Sequence, residues 1–553
     1  MIKQWWHGKV AYQIYPKSFC DSNNDGIGDI PGIISKLDYL QELGIDIVWI
    51  SPMYKSPFRD QGYDIADYYD IDPIFGNINM MDTLLAEAKK RNIQILLDLV
   101  INHCSSEHEW FQKALANPDG EYGKYFYILD GEGDNPPNNW RAYFGGSAWE
   151  RIPNTNKYYL HSYAVEQPDL NFENPVVREK IYAMINWWLD KGIAGFRIDA
   201  IINLKKDLTF KSYPADKEDG TVSLAKMLPH ATGITDVLKN LSNATFKPRS
   251  ALSIAELFYY DSSKLKEYIG EDGCFSTIFD FSTEALGKGK QGWLDRVAPC
   301  ANEYRDVIFE SQRNSSDIEL LCNIIENHDE PRGVSHYLAD CNADSKKMLA
   351  AFTFMLRGIP FLYQGQEIGM ENNKFSSIDD IDDLNTINQY YSILNTGKTP
   401  DEALSIVAKY SRDNTRTPMH WNSQENAGFT SATPWLKVNK NYVDINVEDQ
   451  INDPDSLLSF YKKLIALRKD SEYEDVLVYG TLTPIYETTD NVMAFYRENE
   501  TKKLLVVANN QSNNVILSMR EIVHKIVINN METLEISENN LHLQGYQVIV
   551  LEI

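Results

Sequence analysis

Residues 79–99, NMMDTLLAEAKKRNIQILLDL, hold an amphipathic helical pattern followed at once by a short apolar run. The helical half, 79–91, ends in Lys89, Lys90 and Arg91, where the helix dipole favours cations. The run 93–99 (IQILLDL) reads as a buried strand. The same alternation extends in both directions. Apolar runs recur at 10–15 (VAYQIY), 45–50 (IDIVWI), 193–198 (IAGFRI), 251–256 (ALSIAE), 275–281 (FSTIFDF), 319–325 (ELLCNII) and 360–363 (PFLY). Amphipathic stretches lie between most of them, one at 31–43 with Pro31 in its first turn. Eight strands alternating with helices predict an α/β chain built on a (β/α)8 TIM barrel.

Two stretches depart from the alternation. Residues 103–173 are rich in Asn, Pro, Gly and Tyr and too long for a connecting loop, so they predict an inserted subdomain after the third strand. Beyond a helix at about 454–469, short alternating runs (LLVVANN, NVILSM, HKIVIN, YQVIVLEI) predict a C-terminal antiparallel β domain. The expected division is 1–102 with 174–474 for the barrel, 103–173 for the insert and 475–553 for the β domain.

The net charge of −26 argues against nucleic acid or an anionic membrane as partner. Six scattered cysteines without a CxxC pair suit a reducing compartment. The opening residues, MIKQWWHGKVAYQIYP, contain no apolar signal core, and no stretch has the length of a transmembrane helix. The expectation is a cytoplasmic protein, a monomer or a weak homodimer.

In a barrel, catalytic groups gather at the C-terminal ends of strands. Those ends carry Asp98, Arg197 with Asp199, Glu256, and His328 with Asp329. Arg197 and Asp199 are two residues apart and in a strand point the same way, so the guanidinium keeps the acid ionised, as a nucleophile requires. Glu256 closes an apolar strand, a setting expected to raise its pKa and suit a proton donor. A carboxylate nucleophile facing a protonated acid is the arrangement that cleaves glycosides. For retention of configuration the pair lies about 5–5.5 Å apart. Gly287 to Gly292 fits GxGxxG by letter but lacks a preceding strand and reads as a loop. No organic cofactor is expected. His103 and His108 lack zinc-ligand spacing.

The segment from Asp21 to Asp29 (DSNNDGIGD) follows the rhythm of a calcium loop, with Asp21, Asn23, Asp25, Ile27 and Asp29 as the ligand positions. The twelfth position is Gly32, so the bidentate Glu of an EF-hand is missing. A plain Asx turn is the competing reading, and the expectation is a structural Ca2+ or Mg2+.

Taken together, DLVINH (98–103), GFRIDA (195–200), AEL (255–257) and ENHDEPR (326–332) resemble, in order, the four signature blocks of glycoside hydrolase family 13, the α-amylase family. QPDLN (167–171) and SRDNTRTPMHW (411–421) resemble its oligo-1,6-glucosidase branch. The resemblance implies Asp199 as nucleophile, Glu256 as acid/base and Asp329 as a third carboxylate on the 2- and 3-hydroxyls of a bound glucose. It further implies that His103, Arg197 and His328 surround that ring, with Tyr63 as a stacking platform and Gln167 and Ala200 among the substrate contacts. Asp60 and Arg412 resemble the pair that grips the 4-hydroxyl and closes the pocket to one glucose. Without the resemblance, Tyr63 reads as structural and Arg412 as a solvated charge.

The implied activity is that of a retaining, exo-acting α-glucosidase on short sugars such as isomaltose, maltose or sucrose. Ala200 stands where α-1,6-specific relatives often carry Val, and His420 where Gln is common. Sucrose isomerase or transglucosylase and trehalose-6-phosphate hydrolase are the competing activities. STEALGKGKQGW (282–293) lacks the Arg–Asp cluster of the isomerases, and no basic residues are placed for a phosphate. A non-catalytic transporter heavy-chain module would need a membrane anchor.

Overall fold

The computed structural model describes residues 2–258, 262–289, 292–537 and 539–553, which leaves part of the 287–292 loop outside the described residues. Eight parallel strands form one sheet: Ala11–Ile14, Ile47–Ile50, Gln94–Leu99, Gly195–Ile198, Leu252–Ala255, Thr277–Ile278, Cys322–Asn323 and Ile359–Tyr363. Their order is sixth, fifth, fourth, third, second, first, eighth, seventh, and a parallel bridge joins Phe279 to Cys322. Consecutive strands neighbouring one another around the whole order make a near-closed barrel. Helix Ile78–Lys90 shows how the sequence builds one unit. Asn77 caps it by accepting from the Asn79 and Met80 amides, and Met81, Leu84 and Ala88 form its buried stripe. The pattern at 31–43 is realised as two helices, Ile30–Ser35 and Leu37–Leu43.

The chain divides into two compact units. One comprises 29–34 and 49–278. It contains the helix Pro175–Lys191, entered through an Asn174 cap and left through Gly192 at φ 108°. Gly195 then opens the fourth strand against the fifth, where a Cβ would come within 1.8 Å of the Leu252 carbonyl oxygen. Within the expected insert, an antiparallel sheet orders Ile128–Asp130, Lys157–Leu160 and Trp149–Arg151. Its core of Trp140, Trp149, Tyr158 and Leu160 also takes in Val222, Leu224 and Met227, which follow the fourth strand.

The other unit comprises the residues up to 28, 35–48 and 279–553. Its C-terminal part has a five-stranded sheet ordered Thr481–Ile485, Val492–Glu498, Lys503–Asn509, Val548–Glu552, Lys525–Asn529, and a three-stranded sheet ordered Val515–Ser518, Asn540–Leu543, Glu535–Ser537. Every pairing is antiparallel, and Val492, Leu505, Leu517, Leu541 and Ile549 share one core. Among the described residues no helix is long and apolar enough to cross a membrane.

Candidate active site

The first constellation centres on Arg197. Parallel registry sets Arg197 beside Asp98 on one side and Ile254 on the other. The ladder continues past the strand ends, with the Asp199 amide donating to Leu99 and the Glu256 amide to Ile198. Both acids are thus fixed by backbone before their side chains are considered. The buried guanidinium donates from Nη1 to Asp98 Oδ1 and Asp199 Oδ1, each at 2.8 Å, and from Nη2 to Glu256 Oε1. The rings of Trp49 and Tyr63 lie 5.3 and 5.7 Å from it. Burial disfavours its charge, but Asp98, Glu256, Tyr63 and Asp199 outweigh that, and its pKa is held well above the ordinary arginine value.

Asp98 is fully buried and also accepts from Trp49 Nε1 at 3.2 Å and from the Tyr63 hydroxyl at 2.9 Å. It is an anchor for the guanidinium and the Tyr63 ring. The apolar surroundings expected for Glu256 are not what its carboxyl meets. Its Oε1 receives Arg197, and its Oε2 receives the Ala200 amide at 3.1 Å. These donors come from the neighbouring fourth strand, which the composition of residues 251–256 does not reveal. Ala200 aims that amide from a left-handed backbone, φ 47°, ψ 37°. Such a conformation costs an alanine about 1–2 kcal/mol, and its amide is the one bonded to the carboxyl.

The remaining substrate residues expected in this unit form one hydrogen-bonded chain. Gln167 accepts from the Ala164 amide and donates from Nε2 to Asp60 Oδ2 at 3.0 Å, and His103 Nε2 lies 3.1 Å from the same amide. His103 donates from Nε2 to the Tyr63 carbonyl at 3.0 Å. Burial lowers its pKa, which keeps the imidazole neutral. Asp64 scaffolds the loop by accepting from the Arg59 and Asp60 amides, and burial pushes its pKa up to about 6.

The second constellation centres on Asp329, a third of whose side chain is exposed. Gln13 donates to His328 Nδ1 at 2.8 Å, so the proton sits on Nε2 and is donated to Asp329 Oδ2 at 3.0 Å. Arg412 Nη1 and Arg416 Nη2 donate to Asp329 Oδ1 at 3.1 and 2.9 Å. Burial opposes ionisation, but His328, Arg412 and Arg416 together hold the carboxyl well below the usual range. The two arginines stand four apart on the helical turn Asp413–Arg416 and face one carboxylate. Arg412 also donates to Asp383 Oδ1 at 2.8 and 2.6 Å. Tyr15 stacks on His328 with centroids 6.1 Å apart.

Gln13, Tyr15, Trp49, Asp383 and Arg416 are contributors that sequence reasoning did not single out. Arg416 lies inside SRDNTRTPMHW at helical spacing from Arg412, which is a usable signal. Asp383 caps the helix Leu384–Leu394, and nothing in the sequence marks it otherwise.

In the 21–29 loop, Asp21 accepts from the amides of Asn23, Asn24 and Gly26, Asn23 from that of Asp25, and Asp25 from that of Ile27. Asp29 accepts from the Gly32 amide at 2.6 Å. Asp21 Oδ1 thus accepts two amides, and Asp25 Oδ2 also accepts from the Asn23 side-chain amide at 3.0 Å. Carboxylate oxygens carry further acceptor capacity, and the donor set is all hard oxygen, which fits calcium or magnesium. Among the described residues no group of three or more His, Cys, Asp or Glu is gathered as a metal cluster.

Carboxyl groups on several barrel strands, three of them sharing one guanidinium, are equipped for nucleophilic attack and proton transfer. Comparison with known proteins agrees. Residues 13–480 match the α-amylase catalytic domain and 492–550 the C-terminal domain of the α-amylase SusG. The chain belongs to the α-amylase family, glycoside hydrolase family 13, and is a glycoside hydrolase. It is 39% identical over 562 residues to an oligo-1,6-glucosidase of Bacillus cereus, covering 100% of both chains. Among solved structures it is similar to a trehalose-6-phosphate hydrolase of Bacillus licheniformis (TM-score 0.93, 36% identity). It is equally similar to the isomaltulose synthase of Protaminobacter rubrum (TM-score 0.94, 36% identity), and both matches cover 100% of each chain.

Proposed function

We propose that this chain is a retaining, exo-acting α-glucosidase that removes terminal α-linked glucose from short oligosaccharides. The observation that carries the reading is the pair of carboxyl groups, Asp199 and Glu256, bonded to the two ends of one buried guanidinium. One guanidinium spans a short distance, which suits the about 5–5.5 Å of a retaining pair. Asp199 attacks the anomeric carbon and forms a covalent glucosyl ester. Glu256 protonates the departing glycosidic oxygen and then takes a proton from the water that releases glucose.

Asp329, kept ionised by its two arginines, binds the 2- and 3-hydroxyls of the same glucosyl unit, with His103 and His328 as further hydrogen-bonding groups. Asp60 and Arg412 hold the 4-hydroxyl, Tyr63 offers its ring face, and Gln167 orients Asp60 and His103. Ala200 borders the next sugar, where its small side chain admits α-1,4 links or sucrose beside α-1,6 links. The resemblance to an oligo-1,6-glucosidase supports the preference for short α-glucosides.

The 21–29 loop holds a structural calcium or magnesium through Asp21, Asn23, Asp25, the Ile27 carbonyl and Asp29, away from catalysis. The protein acts in the cytoplasm as a monomer or weak homodimer; six scattered cysteines without a CxxC pair support the reducing compartment.

The test is a panel of isomaltose, maltose, sucrose, trehalose and trehalose-6-phosphate, with products resolved by chromatography and the anomer released first followed by NMR. Release of α-glucose from isomaltose is expected. Asp199→Ala and Glu256→Gln should each lower turnover of an aryl α-glucoside by several orders of magnitude with the fold retained. Near-wild-type turnover in either variant overturns the assignment. Exclusive action on trehalose-6-phosphate, or conversion of sucrose into an isomer, assigns the substrate to the two competing activities.

A further inference from the structure

A hydrogen-bonded chain of three side chains, Tyr143, Asn203 and Tyr163, lies within the field of the Asp199 and Glu256 charges. The Tyr143 hydroxyl donates to Asn203 Oδ1, and Asn203 Nδ2 donates to the Tyr163 hydroxyl oxygen, both at 3.0 Å. Asn203 is buried and stands four residues after Asp199, on the turn Ile201–Leu204. Lys206 fixes that turn, since its ammonium donates to the Asn203 carbonyl and pairs with Asp169 at 2.7 Å. The Tyr163 ring meets those of Tyr143, His103 and Phe144 at centroid distances of 5.2, 5.3 and 5.5 Å. All of these residues belong to the compact unit that carries Asp199 and Glu256.

Two features set Tyr163 apart from core packing. Tyr163, Tyr143 and Phe144 are only half-buried, so this aromatic wall is open on one side. A phenol also carries one hydrogen to give. With Asn203 donating to its oxygen, the Tyr163 hydroxyl keeps that hydrogen, and no acceptor for it stands among the described residues. Burial, reinforced by the charges of Asp199, Tyr143 and Glu256, holds the phenol pKa well above the ordinary tyrosine value, so the group acts as a donor. An oriented hydroxyl with an unused hydrogen suits a sugar oxygen.

Chemistry selects which oxygen. The glycosidic oxygen is served by Glu256. A donor on the ring oxygen would oppose the positive charge that develops there in an oxocarbenium-like transition state. With the 2- and 3-hydroxyls assigned to Asp329 and the 4-hydroxyl to Asp60 and Arg412, the 6-hydroxyl remains. We propose that the Tyr163 hydroxyl donates to the 6-hydroxyl oxygen of the terminal glucosyl unit, with Asn203 as the positioning residue that turns the phenol. This assignment rests on the α-glucosidase reading and deepens it. The enzyme then selects terminal units that carry a 6-hydroxyl over 6-deoxy sugars, because a site built to bond a hydroxyl loses that bond to the analogue lacking it.

The test compares a nitrophenyl α-glucoside with its 6-deoxy analogue on the wild type and on Tyr163→Phe, which keeps the aromatic ring and removes only the hydroxyl. Tyr163→Phe should lower kcat/KM for the glucoside about fivefold, the worth of one neutral hydrogen bond, and leave the 6-deoxy analogue unchanged. Asn203→Leu, which frees the phenol to turn, should reproduce this selective loss. Equal losses on the two substrates in Tyr163→Phe, or no loss on the glucoside, overturn the proposal and leave the hydrolase assignment standing. A loss shared by both substrates in Asn203→Leu overturns the positioning role. A wild type that cleaves neither substrate overturns the α-glucosidase reading, and this proposal with it.

Discussion

His420 is fully buried, its Nδ1 donates to the Ile445 carbonyl at 2.9 Å, and its Nε2 has no hydrogen-bond partner. Burial, aided by the Arg332 charge, pushes its pKa down to about 3, against about 6.5 in the unfolded chain. Because the folded value is the lower one, the unfolded chain takes up the proton first as pH falls. Stability from this group is complete above about pH 6.5 and drains away towards pH 3, at about 1.4 kcal/mol per pH unit. By pH 5 the loss is about 2 kcal/mol, which for a chain of 553 residues moves Tm by about 2 °C. His420→Gln removes the proton site and keeps an amide N–H for Ile445. The absolute pH profile is not the readout, since other buried groups titrate in the same window. His108 and His336, both near 4, add to the slope, whereas Asp64 and Asp413, raised to about 6, oppose it. Those groups are common to both proteins and cancel in the difference. Calorimetry of wild type and variant from pH 8 to 4.5 should give curves that converge as pH falls, by about 2 kcal/mol at pH 5 relative to pH 8. Any constant offset measures packing. Parallel curves over that range would refute the argument.

Asp98→Asn leaves Arg197 without one of its buried carboxylates and should destabilise the protein by about 3–5 kcal/mol, with turnover falling further than substrate affinity; a change confined to KM counts against its anchoring role. Ala200→Val forces a β-branched residue into a left-handed backbone, and should lower kcat/KM for maltose and sucrose more than for isomaltose; an equal loss on all three removes Ala200 as the linkage determinant. Chelation of calcium should lower Tm with little effect on the rate at moderate temperature, and an unchanged Tm counts against a metal in the 21–29 loop.

The barrel was legible because each strand is an apolar run buried on both faces, and Gln94–Leu99 is the clearest case. Extents were less legible. The seven-residue runs 275–281 and 319–325 contain strands of only two residues, since buried loop residues are as apolar as strand residues. In the C-terminal domain the strand Glu535–Ser537 is exposed throughout and carries no alternation to read. The core of the insert draws Val222, Leu224 and Met227 from beyond the fourth strand, a long-range contact that no local pattern records. At the site, the two-residue spacing of Arg197 and Asp199 correctly implied a shared ion pair. The partners of Glu256 were misread because they belong to another strand. Arg412, a solvated charge by composition, is held between Asp383 and Asp329.

The Arg197 cluster gives a different physical basis for acid/base chemistry from the apolar setting expected of Glu256. Three carboxyl groups against one guanidinium leave the buried cluster two charges negative if all are ionised. Like charges at such short range cannot all ionise without cost, so the cluster as a whole favours taking up a proton. Asp98 accepts bonds from Arg197, Trp49 and Tyr63 and is closed off from solvent. Asp199 and Glu256 are the two groups proposed to act on the sugar. On this view Arg197 and Asp98 do more than orient their neighbours. They fix the charge of the cluster, and a glycosidic oxygen placed against Glu256 would draw the proton there and leave Asp199 as the anion that attacks.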